Sequence, residues 1–94
     1  MLYNLFASPR YEKDVAMAKK RGLDIDDLIS VVEKLQKGEK LERKHKDHPL
    51  HGNFEGTREC HIKPDWLLIY SKDDEIRLLS LIRTGTHSDL FRKY

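Results

Sequence analysis

The chain has 94 residues, of which 36% are charged and 38% hydrophobic, with a formal net charge of +2. That length holds one core and excludes a second, and apolar residues this well patterned exclude a disordered polyelectrolyte. A lone cysteine, Cys60, excludes an internal disulfide and fits a reducing compartment, and no apolar run approaches a membrane span.

The opening M-L-Y-N-L-F-A-S-P lacks a basic leader, so no signal peptide is expected and the location expected is cytoplasmic. Leu2 to Ala7 predicts a strand. Ser8-Pro9 predicts an N-cap followed by proline at the first helical position. A helix from Pro9 to about Lys20 would put Tyr11, Val15 and Ala18 on one face, and Gly22 would end it. Asp24 caps a second helix, with Leu23 and Leu28 at the spacing of a hydrophobic staple. Ile25, Leu28, Ile29, Val32 and Leu35 form its core-facing stripe, and Gly38 closes it.

Glu39 to Gly56 shows no periodicity and contains Pro49, Gly52 and Gly56. Long irregular segments in small domains are usually functional or mobile. From Lys34 to His48 six Lys/Arg face three acids, which suits a polyanion, RNA above all. Lys44 and Lys46 are candidate RNA contacts. Four of the five histidines, His45, His48, His51 and His61, fall between positions 45 and 61; the fifth is His87. Imidazoles titrate near neutrality, so the cluster suits proton transfer or metal binding.

Three strands are predicted next: Thr57 to Ile62, Trp66 to Tyr70 and Glu75 to Arg83. Pro64-Asp65 and Asp73-Asp74 are the natural turns between them. If those pairs centre the turns, Ile62 pairs with Leu67, His61 with Leu68, Leu68 with Leu79 and Trp66 with Leu81. His61, Leu68, Leu79, Leu81 and Arg83 would then share one face. Asp65, Arg83 and His87 would converge at one end of the sheet, with His61 about a residue pair away. A one-residue slip in either turn would undo this register.

RNA carries its own nucleophile, the 2′-hydroxyl. Cutting it without metal takes a base for that proton, a cation for the phosphate charge and an acid for the leaving 5′-oxygen. His48, His61, Asp65, Arg83 and His87 supply that set, with the base open among His48, His61 and Asp65. The products would be a 2′,3′-cyclic phosphate and a 5′-hydroxyl. His48 and His51 are three apart, but in a proline-containing loop this is a weak metal signature, and neither metal nor cofactor is expected. Cys60 is weaker still as a nucleophile, because its neighbour His61 points to the opposite face of a strand.

Three segments, K-D-H-P-L-H-G at 46–52, R-E-C-H-I-K-P-D-W-L-L-I-Y at 58–70 and R-T-G-T-H-S-D-L-F at 83–91, resemble the RelE/ParE superfamily of toxin–antitoxin toxins, and its YafQ-like branch above all. The resemblance covers most of the chain. It implies an α+β fold, two N-terminal helices on a small antiparallel sheet, as a single toxin domain over residues 1–94. It implies a ribosome-dependent mRNA endonuclease acting in the ribosomal A site. The partners implied are mRNA, the ribosome and a cognate antitoxin that holds the toxin inactive in a higher oligomer, with no membrane involved. The family's loop histidine falls on His48, its strand histidine on His61 and its turn aspartate on Asp65. Its arginine falls on Arg83, its acid-type histidine on His87 and its base-holding aromatic on Phe91. His45 and His51 fall outside that set and read as loop residues able to touch RNA or the ribosome. The alternative within the superfamily is a ParE-type toxin that binds DNA gyrase and cuts nothing; such a binder has no need of this titratable set.

Overall fold

Ser8 accepts a hydrogen bond from Tyr11 N at 3.0 Å and caps α1 (Pro9–Lys20), with Pro9 in its first turn. Asp24 caps α2 (Ile25–Gln36) through Asp26 N, also at 3.0 Å. Gly22 and Gly38 follow the two helices at φ 79° and 76°, the left-handed geometry that a Cβ resists. These features belong to a computed structural model that describes residues 2–91; Arg92-Lys93-Tyr94 lie outside it.

Five strands complete the fold: β1 (Asn4–Ala7), β2 (His48–Pro49), β3 (Arg58–Lys63), β4 (Trp66–Asp73) and β5 (Leu78–Gly85), followed by the short α3 (His87–Phe91). Their order across the sheet is β1-β5-β4-β3-β2. The class is α+β as expected, but the sheet is mixed. β1 runs parallel to β5, Asn4 beside Leu78 and Ala7 beside Leu81, while the other pairs are antiparallel. No turn signal announces a pairing between the two ends of a chain.

Both helices cover one face. Tyr11 and Ala18 of α1, and Leu28, Val31, Val32 and Leu35 of α2, bury against Cys60, Ile62, Trp66, Leu68, Tyr70, Leu79 and Leu81. Leu23 packs there too, consistent with the staple. Val31 takes the place expected for Ile29, which is largely exposed. The other face carries a smaller core of Leu67, Ile69 and Leu90, with Leu50, Phe54, Ile82 and Phe91 packed on it. Trp66 and Thr84 tie β4 to β5: Trp66 Nε1 donates to Thr84 Oγ1 at 2.9 Å, and that hydroxyl donates to Leu67 O at 2.6 Å.

The expected register fails in both hairpins. Asp73 Oδ1 accepts from Glu75 N and Ile76 N, and Arg77 sits at φ 55°, so the turn spans Asp74 to Arg77 and Asp73 pairs with Leu78. Each hairpin also holds an irregularity, between His61 and Lys63 in β3 and between Leu81 and Arg83 in β5. His61 therefore pairs with Leu67, not Leu68, and Arg83 with Ile69. One extra residue reverses the side of everything beyond it. His61 and Arg83 thus still share a face, but it is the face of Leu67 and Ile69, not that of Leu68, Leu79 and Leu81.

Candidate active site

Two cross-strand rows organise the site. His48, Glu59, Ile69 and Arg83 stand side by side on β2, β3, β4 and β5; the next row is His61, Leu67 and Gly85. Period-two alternation puts Glu59 and His61 on the same face. Glu59 is 5% exposed, and one of its oxygens lies 3.4 Å from His61 Nε2 and 3.6 Å from His48 Nε2. His48 is further held by its Nδ1, 2.8 Å from Lys46 O.

His87 completes the cluster from α3. Its ring meets that of His61 edge-on, with centroids 5.7 Å apart. Asp65, in the turn after β3, accepts from His87 N at 2.9 Å and pairs with His87 Nδ1 at 2.6 Å. These contacts, the backbone N–H foremost and then the imidazole, hold the Asp65 carboxyl below the usual carboxylate range. An ionised carboxylate only accepts, so the His87 proton sits on Nδ1 and Nε2 is left for chemistry. The start of α3 is fixed by a capping box: Thr86 N donates to Asp89 at 3.0 Å and Asp89 N to Thr86 Oγ1 at 3.1 Å. Asp89 also accepts from Arg21, the residue just after α1, at 2.6 and 3.2 Å, and that guanidinium holds its carboxyl far below the ordinary value. A Cβ on Gly85 would meet Asp89 Oδ2 at 2.9 Å, so the glycine provides room for this carboxylate.

The remaining expectations divide. Lys44 and Lys46 line a cleft of about 300 Å³ with His45, His61, Ile62, Lys63 and Pro64, opening beside His61. Phe91 packs edge-on against Phe54 at 5.6 Å, which ties the base-holding candidate to the loop after His48. His45 is buried, its Nδ1 2.7 Å from His61 O, so it braces β3 rather than standing free on an open loop. His51 is exposed beside Glu55 at 3.6 Å. Burial pushes the Cys60 thiol up to about 12, which leaves it inert. Arg83 is the main departure. Its backbone lies on the row of Glu59, but Nε and Nη2 bind Asp14 of α1 at 2.8 and 3.2 Å, so the expected convergence of Arg83 with Asp65 and His87 is not the arrangement seen.

Glu59, two residues before His61, is not among the residues expected from the sequence, where the histidines stand out. An acid alternating with a histidine on one strand face was the available signal. Glu59, His61 and His87 each offer a ligand atom within 4.8 Å of the others, a trio able to close on one ion and distinct from the His48–His51 pair.

A profile of the family described as bacterial toxin of type II toxin-antitoxin system, YafQ, matches residues 3–92. This chain belongs to the YafQ family. It is 44% identical over 85 residues to the mRNA interferase toxin YafQ of Escherichia coli K12, covering 89% of this chain and 90% of that one. Its fold superposes on the crystal structure of the E. coli DinJ-YafQ toxin-antitoxin complex with a TM-score of 0.88 at 40% identity, covering 97% of this chain and 99% of the other. A metal-bound toxin from Helicobacter pylori also gives 0.88, at 42% identity over 97% and 100% of the two chains. Among the described residues no helix is long and apolar enough to cross a membrane.

Proposed function

We propose that this chain is an mRNA interferase: an endoribonuclease that cuts mRNA in the ribosomal A site by metal-free acid–base chemistry. It acts as a single toxin domain over residues 1–94, in the cytoplasm, and a cognate antitoxin neutralises it in a higher oligomer. The naming of YafQ relatives as mRNA interferases, and the DinJ complex of one of them, support this reading. The observation that carries it is the assembly of Glu59, His61, His87 and Asp65 on one face of the sheet, with His48 beside Glu59.

His61 or His48, oriented by Glu59, takes the proton from the 2′-oxygen. Asp65 is engaged by His87 and serves as that residue's orienting group. The 2′-oxygen attacks phosphorus, the bond from phosphorus to the 5′-oxygen breaks, and His87, entering the step as an imidazolium whose Nδ1–H stays on Asp65, gives its Nε2 proton to the leaving oxygen. A 2′,3′-cyclic phosphate and a 5′-hydroxyl result. Arg83 serves the charge on the phosphate, Lys44 and Lys46 the strand beyond it, and Phe91 a base. A chain of net charge +2 makes few phosphate contacts, so free RNA binds weakly, and the ribosome supplies orientation. A gyrase-binding toxin would have no use for two imidazoles around a buried carboxylate.

In vitro translation with mapping of mRNA ends is the test. In-frame cuts that depend on ribosomes and vanish in His87→Ala are expected. Equal cutting of naked and ribosome-bound mRNA would refute the ribosome dependence, and translation arrest without cuts would refute the nuclease.

A further inference from the structure

The Cα of Arg83 stands two strand spacings, about 10 Å, from that of Glu59 along one row. Its guanidinium is drawn instead over the edge of β5. β1 reaches only as far as Leu81, so the last residues of β5 have an uncovered edge, and Asp14 of α1 occupies it. Asp14 accepts from Arg83 Nε at 2.8 Å, from Nη2 at 3.2 Å and from Thr84 N at 3.1 Å. Arg10 Nε lies 3.7 Å from the same carboxylate, on a side chain that is 66% exposed. The Asp14 and Arg83 side chains are only 12% and 17% exposed, so this is no loose surface pair.

We propose that Asp14 is a positioning residue of the site: it holds Arg83 in reserve at the β5 edge, and a phosphate of the bound RNA takes the guanidinium over from it. The proposal rests on the reading of the site as an RNA-cleaving centre in which Arg83 meets the phosphate. Three features carry it. The guanidinium fork fits carboxylate and phosphate oxygens in the same two-point geometry, so one can replace the other. Asp14 is not orphaned by the exchange, because it keeps the Thr84 N–H and Arg10 stands one helical turn away. Without such replacements, leaving a buried carboxylate unpaired would oppose the exchange. Finally, Trp66 and Thr84 lock the end of β5 independently of the Arg83 side chain, so its departure need not disturb His87. Such a reserve lowers the apparent affinity for RNA by the fraction of molecules in which Arg83 is available.

The test uses the whole chain and a 2′-O-methyl oligoribonucleotide, which binds but cannot be cut. Nitrogen-15 NMR follows the Arg83 Nε–H signal and also reads weak binding. In the wild type that proton should be protected from exchange, and should shift and lose protection as the oligonucleotide saturates. Asp14→Asn should bind the oligonucleotide severalfold more tightly than wild type, because the neutral amide holds the guanidinium less firmly. Arg10→Ala, an exposed change that spares the fold, should weaken binding severalfold by removing the replacement partner of Asp14. Both effects should vanish in an Arg83→Gln background. Wild-type affinity in Asp14→Asn, effects that persist without Arg83, or an Arg83 Nε–H signal unmoved at saturation would overturn the proposal. Failure of every form to cut mRNA would overturn the function, while the binding measurements still decide the role of Asp14.

Discussion

Replacing Glu59 by glutamine removes a charge from the centre of the site and keeps its volume. The carboxylate is 5% exposed, with His61 at 3.4 Å and His48 at 3.6 Å. At an effective dielectric near 20, one charged imidazole at that range attracts it by about 5 kcal/mol. Desolvating a carboxylate costs several kcal/mol in the opposite sense, so the two terms nearly cancel. Glu59→Gln should therefore change stability by no more than about 2 kcal/mol, in either direction. For a domain of this size that is a shift in Tm of roughly 15 °C at most. Activity should respond far more. Glutamine cannot orient two imidazoles through one anionic oxygen, and misplacing a general base costs about a hundredfold or more in rate. The assay pairs a thermal melt with single-turnover cleavage on programmed ribosomes. A folded Glu59→Gln protein that cuts at the wild-type rate would refute the assignment of Glu59 to the site.

Asp65→Ala should lower cleavage in the same direction as His87→Ala, and the double variant should be little worse than either single one, since Asp65 acts through His87; additive losses would separate the two. Arg83→Ala should slow single-turnover cleavage by about a hundredfold, and Arg83→Lys should recover only part of it, because a point charge lacks the planar fork. Cleavage should survive EDTA yet be inhibited by added Zn²⁺, which would occupy Glu59, His61 and His87 together; zinc-insensitive cleavage would count against their close approach. The Asp89 carboxyl is depressed in the folded state by Arg21, so its contribution to stability is complete above about pH 4 and is lost as pH falls through the folded value. Melts of Asp89→Asn between neutral and strongly acid pH should accordingly show a flatter acid limb than wild type.

Much of the local structure was legible because it is decided within a few residues. Ser8-Pro9, Asp24, Gly22 and Gly38 bound the two helices where their chemistry says, since caps and left-handed closures need no distant partner. The helix stripe erred only at Ile29 and Val31, neighbours whose order depends on how α2 is rolled against the sheet. His48, His61, Asp65 and His87 were identifiable as types suited to proton transfer, and their motifs fixed their order. Their contacts were not. The irregularities in β3 and β5 each insert one residue, and a period of two makes one residue enough to change the face.

Caps, periodicity and turn signals by themselves determined the two helices and the three-strand meander, while the α+β class came with the resemblance carried by the three motifs. Tertiary structure alone decided that β1 lies parallel to β5, that Glu59 joins His48 to His61, that His45 is a buried brace, and that Arg83 rests on Asp14. The reason is physical. Local signals fix backbone conformation over a turn or a cap, whereas a buried charge finds its partner through a register and an edge that residues dozens of positions apart must settle together.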